Sequence, residues 1–161
     1  MPGPGLGFNV IAGPEWARVV AALGRANDDL PGDLGDAIEE DAKELANRAK
    51  FRVMALPTPR QAGHTGLRRR VARGVHVVKQ GTGGVRVQTS MVDPSEGIIP
   101  RGLDRPEGWR HPLFGDKNHW YRNPGYDWFI STFSNSGSEN MIEKSLHDVL
   151  EKAGDRIARA D

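Results

Sequence analysis

Leu34, Ile38, Ala42, Leu45, Ala49, Val53 and Leu56 return at helical spacing over about twenty residues, and Pro57 and Pro59 then close the run. No other feature constrains the fold as strongly, because a long helix with one apolar stripe has to lie on something. Asp33 is placed to cap it, acids in its first turn suit the helix dipole, and Arg48, Lys50 and Arg52 stand toward its end. Ala42, Ala46 and Ala49 leave room for a close neighbour. A second stripe lies near the C-terminus, where Ile142, Leu146, Val149, Leu150, Ala153 and Ile157 follow Ser136 and Glu139 at capping-box spacing.

Between these helices the pattern changes. Leu67 to Met91 reads as strands, with Val75, Val77 and Val78, then Val85 and Val87, on either side of the glycine-rich turn Lys79 to Gly84. That turn is no phosphate loop, since it runs into Val85-Arg86-Val87 and not into Gly-Lys-Ser/Thr and a helix. The prediction is an α+β fold: long amphipathic N-terminal helices and a C-terminal helix packed on a small antiparallel sheet. A shorter helix is expected from Pro14, with Trp16, Val19, Val20 and Leu23 on one face, ending at the break Asp28 to Gly32. Residues 1–13, with their prolines and glycines, read as a flexible arm, and 14–161 as a single domain. Within it, Pro57 to Gly66 is an exposed connector, and 91–126 is one long loop studded with aromatics that have to rest on a core or a partner.

Composition narrows the function. The 161 residues include no cysteine, which excludes disulfides and cysteine-ligated zinc. No apolar run approaches about 18 residues and no secretory leader is evident, so a soluble intracellular setting without membrane contact is expected. Gly 20 and Pro 11 together are too many for a chain made only of packed elements, and loops or arms that need support are expected. The net charge of +1 hides strong local imbalance. Asp28, Asp29, Asp33, Asp36, Glu39, Glu40, Asp41 and Glu44 face the single base Lys43, whereas Arg60, Arg68, Arg69, Arg70, Arg73, Lys79 and Arg86 occupy a stretch with no acid.

Catalytic chemistry finds no foothold in the sequence. His64, His76, His111, His119 and His147 form no tight metal-ligand spacing, and His111, Asp116 and His119 make at best a weak loop site. Ser131, Ser134, Ser136 and Ser138 cluster without a nucleophile elbow. No enzyme activity, metal or cofactor is expected. Nucleic acid is the alternative, an accessory module binding through the basic 60–86 segment: Arg68, Arg69, Arg70 and Arg73 would neutralise phosphates while Trp109, Trp120 and Tyr121 stack on bases.

Several motifs, taken in order, resemble a known family. The alanine-rich helix ends in Ala46-Asn47-Arg48-Ala49-Lys50 and is followed by Pro57-Thr58-Pro59. Thr65-Gly66-Leu67-Arg68 then opens the strand region. Arg110-His111-Pro112-Leu113-Phe114-Gly115, His119-Trp120, Asn123-Pro124-Gly125 and Trp128-Phe129 precede the amphipathic C-terminal helix. Over roughly Trp16 to Ile157 the chain resembles the tail-completion or head-tail joining proteins, also called minor tail components, of long-tailed, siphovirus-like bacteriophages. It departs from the family pattern in its long Met91 to Trp109 segment and its extra N-terminal arm.

The resemblance implies a structural protein of the virion neck, assembled in the bacterial cytoplasm as a homo-oligomeric ring, a hexamer. Its neighbours would be the head connector or stopper on one side and the tail terminator or tail tube on the other. Genomic DNA would pass nearby without sequence-specific binding. His111, Pro112, Phe114, Gly115, Trp120 and Trp128 would shape the loop and anchor its docking, with Trp120 buried. A closed ring needs two unlike surfaces. We expect Asp33, Asp36, Glu40 and Glu44 of one subunit to lie near Arg68, Arg69, Arg70 and Arg73 of the next, with Lys79 or Arg86 toward the channel.

Overall fold

The periodic run does form one long helix, and it begins earlier than its expected cap. The computed structural model describes residues 7–10, 18, 21, 24–25, 27–57, 66–80, 84–113 and 116–160. Helix α1 spans Leu30–Ala55, with Asp29 at the cap position and Pro31 in the first turn, where a missing N–H costs nothing. Asp33 therefore sits inside the first turn, not at the cap. Leu30, Leu34, Ile38, Ala42, Leu45, Ala46, Ala49 and Val53 are buried along one side. The helix stops at Leu56, whose backbone is extended before Pro57.

The segment Leu67–Gly74, expected as strand, is a helix, α2. Four arginines with Leu and Ala favour helix over strand, and the turn buries Val71 and Ala72 while Arg69, Arg70 and Arg73 stay exposed. Gly74 leads directly into β2, Val75–Gln80, which pairs antiparallel with β3, Gly84–Thr89. Part of the expected arm, Gly7–Val10, forms β1 on the other side of β3, giving the sheet order β1-β3-β2. One face of this sheet carries Val75, Val85, Val87 and Thr89 against α1, and alternation puts His76, Val78, Arg86 and Gln88 on the other. Of the helix expected after Pro14, only Arg18, Ala21 and Gly24 have described helical backbone. Trp16, Val19, Val20 and Leu23, most of the 57–66 connector and the 81–83 turn lie outside the described residues.

The 91–126 segment also carries structure. A 3-10 turn at Pro94–Glu96 leads into the short helix α3, Ile99–Asp104. Strands β4, Trp109–Leu113, and β5, Asp116–Asn123, then form a separate antiparallel hairpin with an irregularity at Pro112/Leu113. Its base is stitched to α3: the N–H groups of Tyr126 and Asp127 donate to the carbonyls of Leu103 (2.9 Å) and Asp104 (3.0 Å). The buried Asp104 carboxylate accepts from the N–H of Phe129 (2.5 Å) and of Ile130 (3.3 Å), holding the start of α4, Ile130–Phe133. Burial pushes the Asp104 carboxyl above its ordinary range, and those backbone donors oppose the shift.

The last helix, α5, spans Ser136–Ala160. Asn135, one residue before the expected Ser136, does the capping: its Oδ1 accepts from the Ser138 N–H at 3.0 Å, and its amide donates to the Ser131 and Thr132 carbonyls. Helices α1 and α5 run antiparallel, as the pairs Asp33–Arg156 and Asp41–Ser145 show. Trp128, Phe129 and Phe133 form an aromatic cluster in the core, with ring centroids 5.3 and 4.9 Å apart along the series. The result is a small α+β domain with N- and C-terminal helices and a small antiparallel sheet, as expected.

One polar group is buried between the two long helices. Asp41 is 8% exposed, its Oδ1 accepts from the Ser145 hydroxyl at 3.0 Å, and its Oδ2 has no partner among the described residues. Burial raises its carboxyl above the ordinary 3.8 and the Ser145 bond only partly offsets this. The fold thus prefers the protonated acid, so the contribution to stability is full below the unfolded value and is lost as pH rises through the higher folded one. Asp41→Asn keeps the acceptor for Ser145 and removes the charge. We predict that it stabilises the fold at neutral pH by on the order of 1 kcal/mol, with the gain shrinking on acidification. Thermal unfolding at several pH values checks this, and equal midpoints at neutral pH would contradict it.

Candidate functional site

Much of the charge that the sequence offers for contacts between subunits is used inside the chain. On the acidic side, Asp33 pairs with Arg156 and Glu44 with Arg48. Glu39 takes both Lys79 at 2.5 Å and Lys43 at 3.0 Å, and those ammonium groups, Lys79 first, hold its carboxyl below the usual range. Asp36 and Glu40 stay exposed. Asp36 has no ion pair among the described residues, and Glu40 has only Lys43 at 3.8 Å.

The basic segment is similarly committed. Arg68 donates to the carbonyls of Met54 and Leu56, satisfying the C-terminal end of α1 where a cation suits the dipole. Arg70 grips Glu96 with two parallel bonds, 3.2 and 2.7 Å, fastening α2 to the 3-10 turn. Lys79 is held by Glu39, and Arg86 lies half-buried on the outer sheet face. Arg69 and Arg73 remain exposed on α2. The expected pairing of Asp33, Asp36, Glu40 and Glu44 with Arg68, Arg69, Arg70 and Arg73 of another subunit thus loses Asp33, Glu44, Arg68 and Arg70 as unengaged groups.

The anchors divide by burial. Trp128 is fully buried in the core, whereas Trp120 is 52% exposed, against the expectation of a buried anchor. It stands on the hairpin, its indole N–H donating to the Lys117 carbonyl at 2.9 Å and the Arg110 guanidinium lying 5.8 Å from its ring centroid. His111 lies on the opposite hairpin face with Trp109 and Tyr121, and its Nε2 is 2.8 Å from the Asn123 amide. Pro112 is described in its backbone alone, and Phe114 and Gly115 lie outside the described residues. Trp120→Ala should cost less than about 1 kcal/mol of folding stability, since half of the ring is already in water. A loss of several kcal/mol in denaturant unfolding would contradict its placement.

This hairpin is the feature that sequence reasoning missed. Every residue from Asp116 to Arg122 is exposed, and in β4 it is Trp109, at the base, that packs on Gly102 of α3 and against the core. A two-stranded hairpin of this kind is marginal in water on its own, yet this one displays Trp120 and Tyr121 beside Arg110 and Arg122. No period-2 apolar signal announces a strand pair in which Trp109 alone is packed against the core among the described residues.

Other arrangements offer less. A hollow of about 330 Å³ lies between the 3-10 turn and the hairpin base, lined by Ile98, Arg101, Gly102, Arg105 and Trp109. His147, Asp148 and Glu151 bring potential metal ligands within 4.8 Å of one another on α5, but Lys144 already holds Asp148 at 2.7 Å. His119 and Asp116 pair at 2.7 Å at the start of β5, where the Asp116 carboxylate also accepts from the Asn118 N–H. No nucleophile–base pair backed by an orienting group stands out among the described residues. No helix among them is long and apolar enough to cross a membrane. No protein-family model, curated protein or solved structure matches the chain.

Proposed function

We propose that this protein is a non-catalytic structural subunit of a bacteriophage neck, assembling as a hexameric ring that joins the head connector or stopper to the tail terminator or tube and helps seal the DNA channel. The observation that carries the reading is the projecting hairpin, which is held to the subunit at its base by Trp109 and exposes aromatic and cationic side chains from Asp116 to Arg122. Such an element gains its full stability only when a partner covers it. The ordered motifs from Arg110 to Phe129 support the same assignment, and the hairpin is where most of them lie. A ring also needs a second, unlike surface, and the exposed carboxylates of α1 supply one of opposite charge.

The nucleic-acid alternative is weaker on the same geometry. Of the basic 60–86 segment, Arg68, Arg70 and Lys79 are spent on intramolecular contacts, leaving Arg69 and Arg73 as its exposed described cations without an ion pair. Electron microscopy of the purified chain at low ionic strength tests the assignment. Closed rings around a central channel are the expected particles, and a monomer at every concentration and salt would overturn it.

A further inference from the structure

We infer that the hairpin docks through Arg110, Trp120 and Arg122 onto the exposed acidic side of α1, at Asp36 and Glu40, in a second copy of this chain. The inference rests on the self-assembly reading above and names the two surfaces that meet.

The hairpin register sets Arg110 directly opposite Arg122 and Pro112 opposite Trp120, so these positions share one face while Trp109, His111, Tyr121 and Asn123 share the other. Two like charges in a cross-strand pair repel each other. Neither arginine forms an ion pair among the described residues: Arg122 donates to the Glu107 carbonyl at 3.2 and 2.8 Å, and Arg110 lies over Trp120. The nearby carboxylate Asp116 is taken by His119. Among the described residues this face therefore holds two guanidinium groups with no carboxylate paired to them, next to an aromatic ring that is half in water.

The complementary arrangement lies on α1. Asp36 and Glu40 are four residues apart on the exposed side of that helix, and among the described residues Asp36 forms no ion pair and Glu40 only its 3.8 Å contact to Lys43. Neighbours at that helical spacing stand about 5–6 Å apart at the β-carbon, close to the roughly 5 Å that separates directly opposed residues across an antiparallel ladder. Two carboxylates thus match two guanidiniums in both charge and spacing, and Trp120 adds apolar area beside them. Because the two surfaces differ, each copy can use its hairpin on one neighbour and its α1 face on the other, which is the head-to-tail contact a ring requires.

Paired charge reversal tests this. Variant Arg110→Glu/Arg122→Glu presents two acidic surfaces and variant Asp36→Arg/Glu40→Arg two basic ones. All four positions are exposed, so circular dichroism and thermal midpoints should match the parent chain. Each variant alone should self-associate on the order of a hundredfold more weakly than the parent. Their equimolar mixture should regain assembly, since every hairpin then meets an α1 face of opposite charge. If each variant assembles alone as the parent does, or the mixture fails while the parent assembles, the docking is wrong and the ring reading stands. If the parent chain never assembles, both fall. If the hairpin variant assembles normally but loses retention of a duplex DNA probe, the face belongs to nucleic acid and the inference is overturned.

Discussion

Trp128→Ala should lower unfolding free energy by about 3–5 kcal/mol, the range for removing a fully buried large aromatic. The ring is 0% exposed, stacks edge-on against Phe129 and belongs to the core cluster with Val53, Val71 and Phe133. A cavity there would reach both α1 and α4. Its indole N–H has no partner among the described residues, and a buried unsatisfied donor costs about 1–3 kcal/mol. Trp128→Phe removes that donor while keeping most of the apolar volume, so it should lose far less than the alanine variant. Denaturant unfolding followed by circular dichroism ranks the two. Equal losses would mean that the orphan N–H is satisfied in solution, and a loss under 1 kcal/mol for alanine would contradict the placement of the ring.

Gly125→Ala is the second large effect, and its mechanism is different. A β-carbon at Gly125 would coincide with the Arg105 carbonyl, and the neighbouring Gly108, at φ +69°, is pressed in the same way against the Asn123 carbonyl. Neither obstacle is a side chain that can swing aside, so the main chain at the hairpin base has to separate from α3. We expect a cost of about 3 kcal/mol, the upper end of ordinary overpacking, concentrated locally. The N–H groups of Tyr126 and Asp127, which donate to Leu103 and Asp104, should lose hydrogen-exchange protection while those of α1 keep theirs. Protection unchanged at both sites would show that the base is looser than its hydrogen bonds indicate.

The two long helices were legible because each carries an apolar stripe that periodicity reveals, from Leu34 to Val53 and from Ile142 to Ala153. Strands β2 and β3 were legible for a similar reason, since Val75, Val85 and Val87 face the core on either side of a glycine turn. Leu67–Gly74 misled because its valine and its proximity to those strands outweighed the helix preference of its arginines. The hairpin gave no signal, because β5 is exposed from Asp116 to Arg122 and the half-buried Trp109 and His111 of β4 are too few for alternation to mark. Trp120 and Trp128 are the same residue eight positions apart with opposite fates: Trp128 sits next to Phe129 and one turn before Thr132 and Phe133, and Trp120 among Lys117, His119 and Arg122. The roles of Asp104, Gly108 and Gly125 depend on segments that meet only in three dimensions, so no local pattern announces them. The charge runs were visible throughout. Their intramolecular use, Arg68 on the end of α1 and Arg70 on Glu96, was not.

We propose the β4–β5 hairpin beyond Trp109 as an assembly element that the fold does not need for its own support. The direct measurement is the mass in solution, with the thermal midpoint, of a chain in which residues 110–122 are replaced by a short Gly/Ser turn between Trp109 and Asn123. This shortened chain should keep the midpoint of the parent and remain monomeric where the parent assembles. Assembly equal to that of the parent, or collapse of the remaining domain, would contradict it.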